Sequence, residues 1–217
     1  MNFNLEKREK ALQYSLDIPE KKSKFSEIKR QFFHIFYGVA IIYSVLFFGK
    51  LFVANILTMI LFIGGLLSYV HIRKPLLPIN KILEHVEREN SLFPGRGGFF
   101  FTFGSLMTLY LFPENIALAG LCVLTFGDSF SHIFGIYIRR KKYNNPSIKK
   151  MLEGNIAGVI VASVAASFFV DPVFGFIGAT IAMTAEFLEF VFTRLDDNFY
   201  IPLIASSVIL LLTMFFA

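Results

Sequence analysis

Seven continuous apolar runs decide what this chain can fold into. They cover roughly residues 32–48, 51–72, 97–112, 115–137, 155–170, 173–193 and 199–216. A hydrocarbon core of about 30 Å is crossed by a helix of about 17 to 25 apolar residues. Alternating strands of a membrane barrel would not produce runs this continuous. The third and fifth runs are short and borrow residues from their flanks. The chain therefore predicts an all-α membrane protein, a bundle of about seven transmembrane helices. Composition points the same way: 55% of the residues are hydrophobic and 17% are charged, against about 25% charged in a soluble domain. This much Phe, Ile, Leu and Val excludes a disordered chain. With Cys122 alone, a disulfide scaffold and a Cys-based zinc site are excluded too.

Gly49-Lys50, Pro113-Glu114-Asn115 and Asp171-Pro172 mark turns between runs, where Pro punctuates helix ends. The first 30 residues are too charged for a signal sequence, and no small-residue cleavage site follows the first run. With seven spans, 20 of the 21 lysines and arginines fall on one side and Lys50 alone on the other. The positive-inside rule then places the N-terminus in the cytoplasm and the C-terminus outside. Residues 1–27 form a polar cytoplasmic N-terminal segment, and residues 28–217 one transmembrane domain. Residues 78–92, between spans two and three, carry Ile79, Ile82, Leu83 and Val86 at helical spacing. That pattern predicts an amphipathic helix in the membrane interface. The net charge of +5 is what basic cytoplasmic loops produce, and the 28 Phe sit inside the apolar runs. No nucleic-acid partner is expected. No internal repeat suggests an inverted-repeat transporter, and a homo-oligomer stays open.

An ionisable residue inside a span is costly and points to function. Asp128, Glu186 and Glu189 qualify. Asp128 precedes Arg139 by 11 residues, about 16 Å along a straight helix. Other polar groups gather on the same cytoplasmic side. Arg30 and His34 enter the first span, and Arg96-Gly97-Gly98 opens the third. Lys149-Lys150-Met151-Leu152-Glu153-Gly154 opens the fifth, and Asp196-Asp197-Asn198 the seventh. Carboxylates hold Mg²⁺, which bridges substrate phosphates. Lys and Arg neutralise phosphate oxygens, and a buried carboxylate can take a proton from a hydroxyl. This inventory suits transfer of a phosphoryl or nucleotidyl group at a membrane surface. No GxxxxGK and no GxGxxG after a strand is present. A polar site at the mouth of an apolar bundle implies a lipid substrate.

In this order, Gly127-Asp128-Ser129, Phe134-Gly135, Lys150-Met151-Leu152-Glu153-Gly154 and Asp196-Asp197-Asn198 with Pro202 resemble the CTP-dependent polyprenol kinase family. That family includes dolichol kinase, phytol kinase and a CTP-using diacylglycerol kinase. Glu27, Lys29, Arg30 and His34 also fit, so the likeness covers residues 27–210. Asn155 departs from the small or hydroxylated residue expected after Gly154. The resemblance implies an integral-membrane kinase moving the γ-phosphoryl of CTP, with Mg²⁺, to a polyprenol, a phytol-type alcohol or diacylglycerol. Its site would face the cytoplasm. On that reading Asp128 is a metal ligand or the base for the lipid hydroxyl, and Lys150 and Glu153 are catalytic with it. Glu153, Glu189, Asp196 and Asp197 share the metal. Arg30, His34, Arg96, Lys149, Gly154 and Asn198 hold the nucleotide, and Glu186 lines the path of the lipid hydroxyl. Two alternatives are a CDP-lipid-forming cytidylyltransferase and a proton-coupled carrier using Asp128, Glu186 and Glu189 as a relay.

Overall fold

The computed structural model describes residues 27–73, 93, 95–137, 147–192 and 196–216. Helices occupy the apolar runs: α1 (Glu27–Phe48), α2 (Lys50–Arg73), α3 (Arg96–Leu111), α4 (Glu114–Tyr137), α5 (Ser147–Ala166), α6 (Pro172–Phe192) and α7 (Asp197–Phe216). The described residues contain no strand. Four helices, α1, α2, α4 and α7, are long and apolar enough to cross a membrane. The apolar stretches of α5 and α6, Leu152–Ala166 and Pro172–Glu186, are shorter. The N-terminal segment before Glu27 and the amphipathic stretch 78–92 lie outside the described residues.

The segment Lys149–Gly154, expected to open the fifth span, forms opening turns of α5. Its Lys, Met, Leu and Glu are all strong helix formers, so the charge there marks a helix end rather than a break.

Helix α4 is the hub. Of its apolar stretch 72% is buried, against 17% for α2. Leu118, Leu121, Val123 and Leu124 of α4 form the middle of the core with Met183 of α6 and Ile201 and Ile209 of α7. Around the hub stand α3, α5, α6 and α7, and α2 leans on α3 from outside. Phe52, Met59, Phe62, Ile63 and Leu66 of α2 are exposed. In water such a face would drive association; in hydrocarbon it costs nothing.

Two features bring the helix ends into register. Pro202, inside α7, has no N–H to give to the carbonyl one turn earlier, which is that of Asn198. Gly104 of α3 lies against this carbonyl, where a Cβ would come within 2.3 Å of the oxygen. Only glycine lets α3 and α7 approach this closely. At the other ends of α3 and α4, Lys50 Nζ donates to the Phe112 carbonyl (2.9 Å), and the Lys50 backbone N–H approaches Glu114 Oε2 at 3.4 Å. These contacts tie the α1–α2 turn to the α3–α4 turn at one end of the bundle.

Candidate functional site

At the opposite end of α1, α3 and α4, side chains from five helices converge. Asp128 closes a π-helical turn, Val123–Asp128, set within α4. Such wide turns recur at functional sites because they re-aim side chains. The Asp128 residue is 2% exposed. Gly127 explains how the bundle closes around it: a Cβ there would meet Met183 Sδ at 2.8 Å and Ala162 Cβ at 3.3 Å. His34 of α1 places Nδ1 3.7 Å from Asp128 Oδ2, and its ring meets Phe101 edge-on at 5.2 Å. His132, one turn beyond Asp128, places Nδ1 3.0 Å from the Asp128 carbonyl oxygen and 3.0 Å from Oδ1. One donor atom each from Asp128, His132, Glu186 and Asp197 lies within 4.8 Å of all the others. Three carboxylates and an imidazole in so small a volume form a donor set for a divalent cation.

Beside this cluster stands the start of α7. The Asn198 side-chain amide donates to Asp196 Oδ1 (2.9 Å) and Asp197 Oδ1 (3.1 Å). Its backbone N–H also donates to Asp197 Oδ1 (2.9 Å). Asn198 thus fixes both aspartates. Arg96, the first residue of α3, brings Nε to 3.2 Å from Asp196 Oδ2 and its guanidinium carbon to 5.8 Å from the Phe100 ring.

The residues singled out in the sequence therefore have different fates. Asp128, His34, Arg96, Asp196, Asp197 and Asn198 all come to this end of the bundle. Among the described residues the carboxylates that meet are Asp128, Glu186 and Asp197, a different set from the expected Asp128, Glu153, Glu189, Asp196 and Asp197. Asp196 is turned to Arg96. Glu153 is exposed, because α5 turns its glycines inward: a Cβ on Gly154 would lie 2.5 Å from the Ser131 carbonyl of α4. Gly154 is thus a helix contact. Arg30 pairs with Glu27 on its own helix. Lys149, Lys150 and Glu189 stand on α5 and α6 with side chains outside the described residues. Glu186 joins the cluster because it follows Met183 by about one turn, on the face that packs against Gly127.

His132 escaped the sequence reading, and Asn155 entered it only as a departure from the resemblance. His132 is readable in hindsight from its i,i+4 spacing to Asp128, which puts both on one helix face. Asn155 donates to the Met183 carbonyl (2.6 Å), tying α5 to α6 just where the chain departs from the resemblance.

The chain is similar to an uncharacterized protein of Methanocaldococcus jannaschii, with 33% identity over 187 residues that cover 84% of this chain and 92% of that protein. No family model matches the chain, and no solved structure matches it.

Proposed function

The chain belongs to one family with this archaeal protein, and from its half-buried cluster we propose that it is a multi-pass integral-membrane lipid kinase. All seven helices cross the bilayer, with the N-terminus and the site on the cytoplasmic side. The reaction moves the γ-phosphoryl group of CTP to the hydroxyl of a membrane lipid alcohol. The observation that carries this reading is the meeting of Asp128, His132, Glu186 and Asp197 within 4.8 Å at the end of an apolar bundle, next to Arg96. The choice of CTP follows from the resemblance of the Gly-Asp, Lys-x-x-Glu-Gly and Asp-Asp-Asn segments to polyprenol kinases.

Asp128, Glu186 and Asp197 would hold Mg²⁺, which when bound would offset phosphate charge. Asn198 holds Asp197 by two hydrogen bonds, so that ligand is oriented beforehand. Arg96 shares its charge with Asp196 and can turn a planar guanidinium towards a phosphate oxygen. His34 is the base. Its Nδ1 is buried without a hydrogen-bond partner, and the Asp128 carboxylate 3.7 Å away balances the imidazolium. The lipid hydroxyl gives its proton to His34 as its oxygen bonds to the γ-phosphorus. The bond from that phosphorus to the bridging oxygen breaks, CDP leaves with the electron pair, and His34 returns the proton to water.

The test uses purified protein in nanodiscs with CTP labelled at the γ-phosphate, Mg²⁺ and a panel of polyprenol, phytol and diacylglycerol. A kinase moves the label to one of these lipids and releases CDP. Labelled pyrophosphate would mean a cytidylyltransferase instead, and no turnover with any acceptor would leave the carrier reading.

A further inference from the structure

A centre built for Mg²⁺ alone needs only oxygen ligands, yet this one has an imidazole in it. The His132 Nδ1 is bonded to the Asp128 carbonyl at 3.0 Å. A carbonyl oxygen only accepts, so that nitrogen carries a proton, which leaves Nε2 as the ring nitrogen that can take a metal. A backbone carbonyl holding one ring nitrogen is the usual support of a histidine whose other nitrogen binds metal. A second observation concerns the Asp128 carboxylate itself. Asp128 Oδ1, on a residue 2% exposed, has no hydrogen-bond partner, since the single Nδ1 proton nearby goes to the carbonyl. An unpartnered carboxylate oxygen at this burial is costly unless something positive meets it. Of the nearby basic groups, His34 lies towards the other oxygen, Oδ2, Arg96 lies towards Asp196, and His132 Nδ1, 3.0 Å from Oδ1, is bonded to the carbonyl.

We infer that Asp128, His132, Glu186 and Asp197 form a mixed nitrogen–oxygen cation site in which His132 is a direct ligand, so that Mn²⁺ binds more tightly than Mg²⁺. Carboxylates suit both ions, whereas an imidazole adds affinity for first-row transition ions. The inference rests on the cluster assigned above to the kinase, but not on phosphoryl transfer.

The experiment uses the full-length protein in nanodiscs without nucleotide or lipid alcohol, titrated with Mn²⁺ and followed by electron paramagnetic resonance. Bound Mn²⁺ loses its free six-line signal, and a ligating imidazole adds a nitrogen-14 coupling in pulsed spectra. The expected result is one bound Mn²⁺ with that coupling, displaced by Mg²⁺ only at concentrations about ten-fold higher or more. His132→Gln removes the coupling and weakens Mn²⁺ binding about ten-fold or more, with far less effect on Mg²⁺. His34→Gln keeps the coupling, which separates a ligand from a neighbour. Absence of bound Mn²⁺, bound Mn²⁺ without nitrogen coupling, or even competition by Mg²⁺ overturns the inference. Mn²⁺ bound through nitrogen in a protein that transfers no label from CTP keeps this site and discards the kinase. Label transfer without the coupling does the reverse.

Discussion

Asp128 sits where a negative charge is hardest to keep. Burying a carboxylate costs several kcal/mol unless its partners repay it, and this one is 2% exposed with His34 and His132 as its basic neighbours. Asp128→Asn keeps the size and removes the charge. It leaves a folded protein and lowers kinase turnover by about 100-fold or more, an activation difference of about 2.7 kcal/mol. Labelled CTP measures the loss, and unimpaired turnover would remove Asp128 from the centre. Glu186 is the second case. Glu186→Gln lowers turnover about ten-fold, near 1.4 kcal/mol; a change confined to melting temperature would make this glutamate structural. Much of this site was legible in the sequence, because Asp128, Asp197 and Arg96 each interrupt or border an apolar run. His132 was not, since its meaning comes only from standing one turn after Asp128. That Glu186 joins the cluster also needed the packing of Met183 on Gly127, which a sequence does not display.

Among the elements, α3 and α7 carry the most exposed prediction. Gly104 rests on the Asn198 carbonyl, and α3 brings Arg96 to Asp196. Gly104→Val pushes the two helices apart. Overpacking of this kind costs about 1–3 kcal/mol, so the melting temperature falls, and turnover falls with it because Arg96 and Asp196 separate. Asn155→Ala makes the contrast. Its bond to the Met183 carbonyl joins α5 to α6 and involves no carboxylate, and such bonds are worth about 0.6 kcal/mol in membranes. A small drop in melting temperature with turnover kept within two-fold, roughly 0.4 kcal/mol, is expected in the same assays. The helices themselves were legible because apolar runs of this length have few other solutions. The opening of α5 was legible too, since Lys149, Lys150 and Glu153 border the fifth apolar run and suit a helix. Nothing in Val123–Asp128 announces a π turn. There Thr125 meets Gly38 and Gly127 meets Met183, so tertiary contact occupies the turn on two sides.

For the whole molecule, the decisive quantity is which end of the bundle faces the cytoplasm. Lys50, Phe112 and Glu114 meet at one end, and Arg96, Asp196 and the carboxylate cluster at the other. On the proposed seven-span topology 20 of the 21 basic residues fall on the second side, and the charge bias would place that side inward. Positions 50 and 141 are separated by α2, α3 and α4, an odd number of spans, so they must face opposite sides if all three cross. Cys122 is 3% exposed and does not compete for a maleimide. In intact cells a membrane-impermeant maleimide should therefore label Lys50→Cys directly and Lys141→Cys only after permeabilisation. Reversed labelling would put the site outside, away from cytoplasmic nucleotide. Labelling of both from one side would mean that one helix does not cross, and α3 would be the first suspect. Its 16 residues span about 24 Å, short of a core near 30 Å. A short helix crosses by local thinning of the bilayer at modest cost. A crossing α3 would carry Arg96, its first residue, into the membrane interface together with its ion-pair partner Asp196, so the helix that most strains the proposed topology would also complete the proposed site.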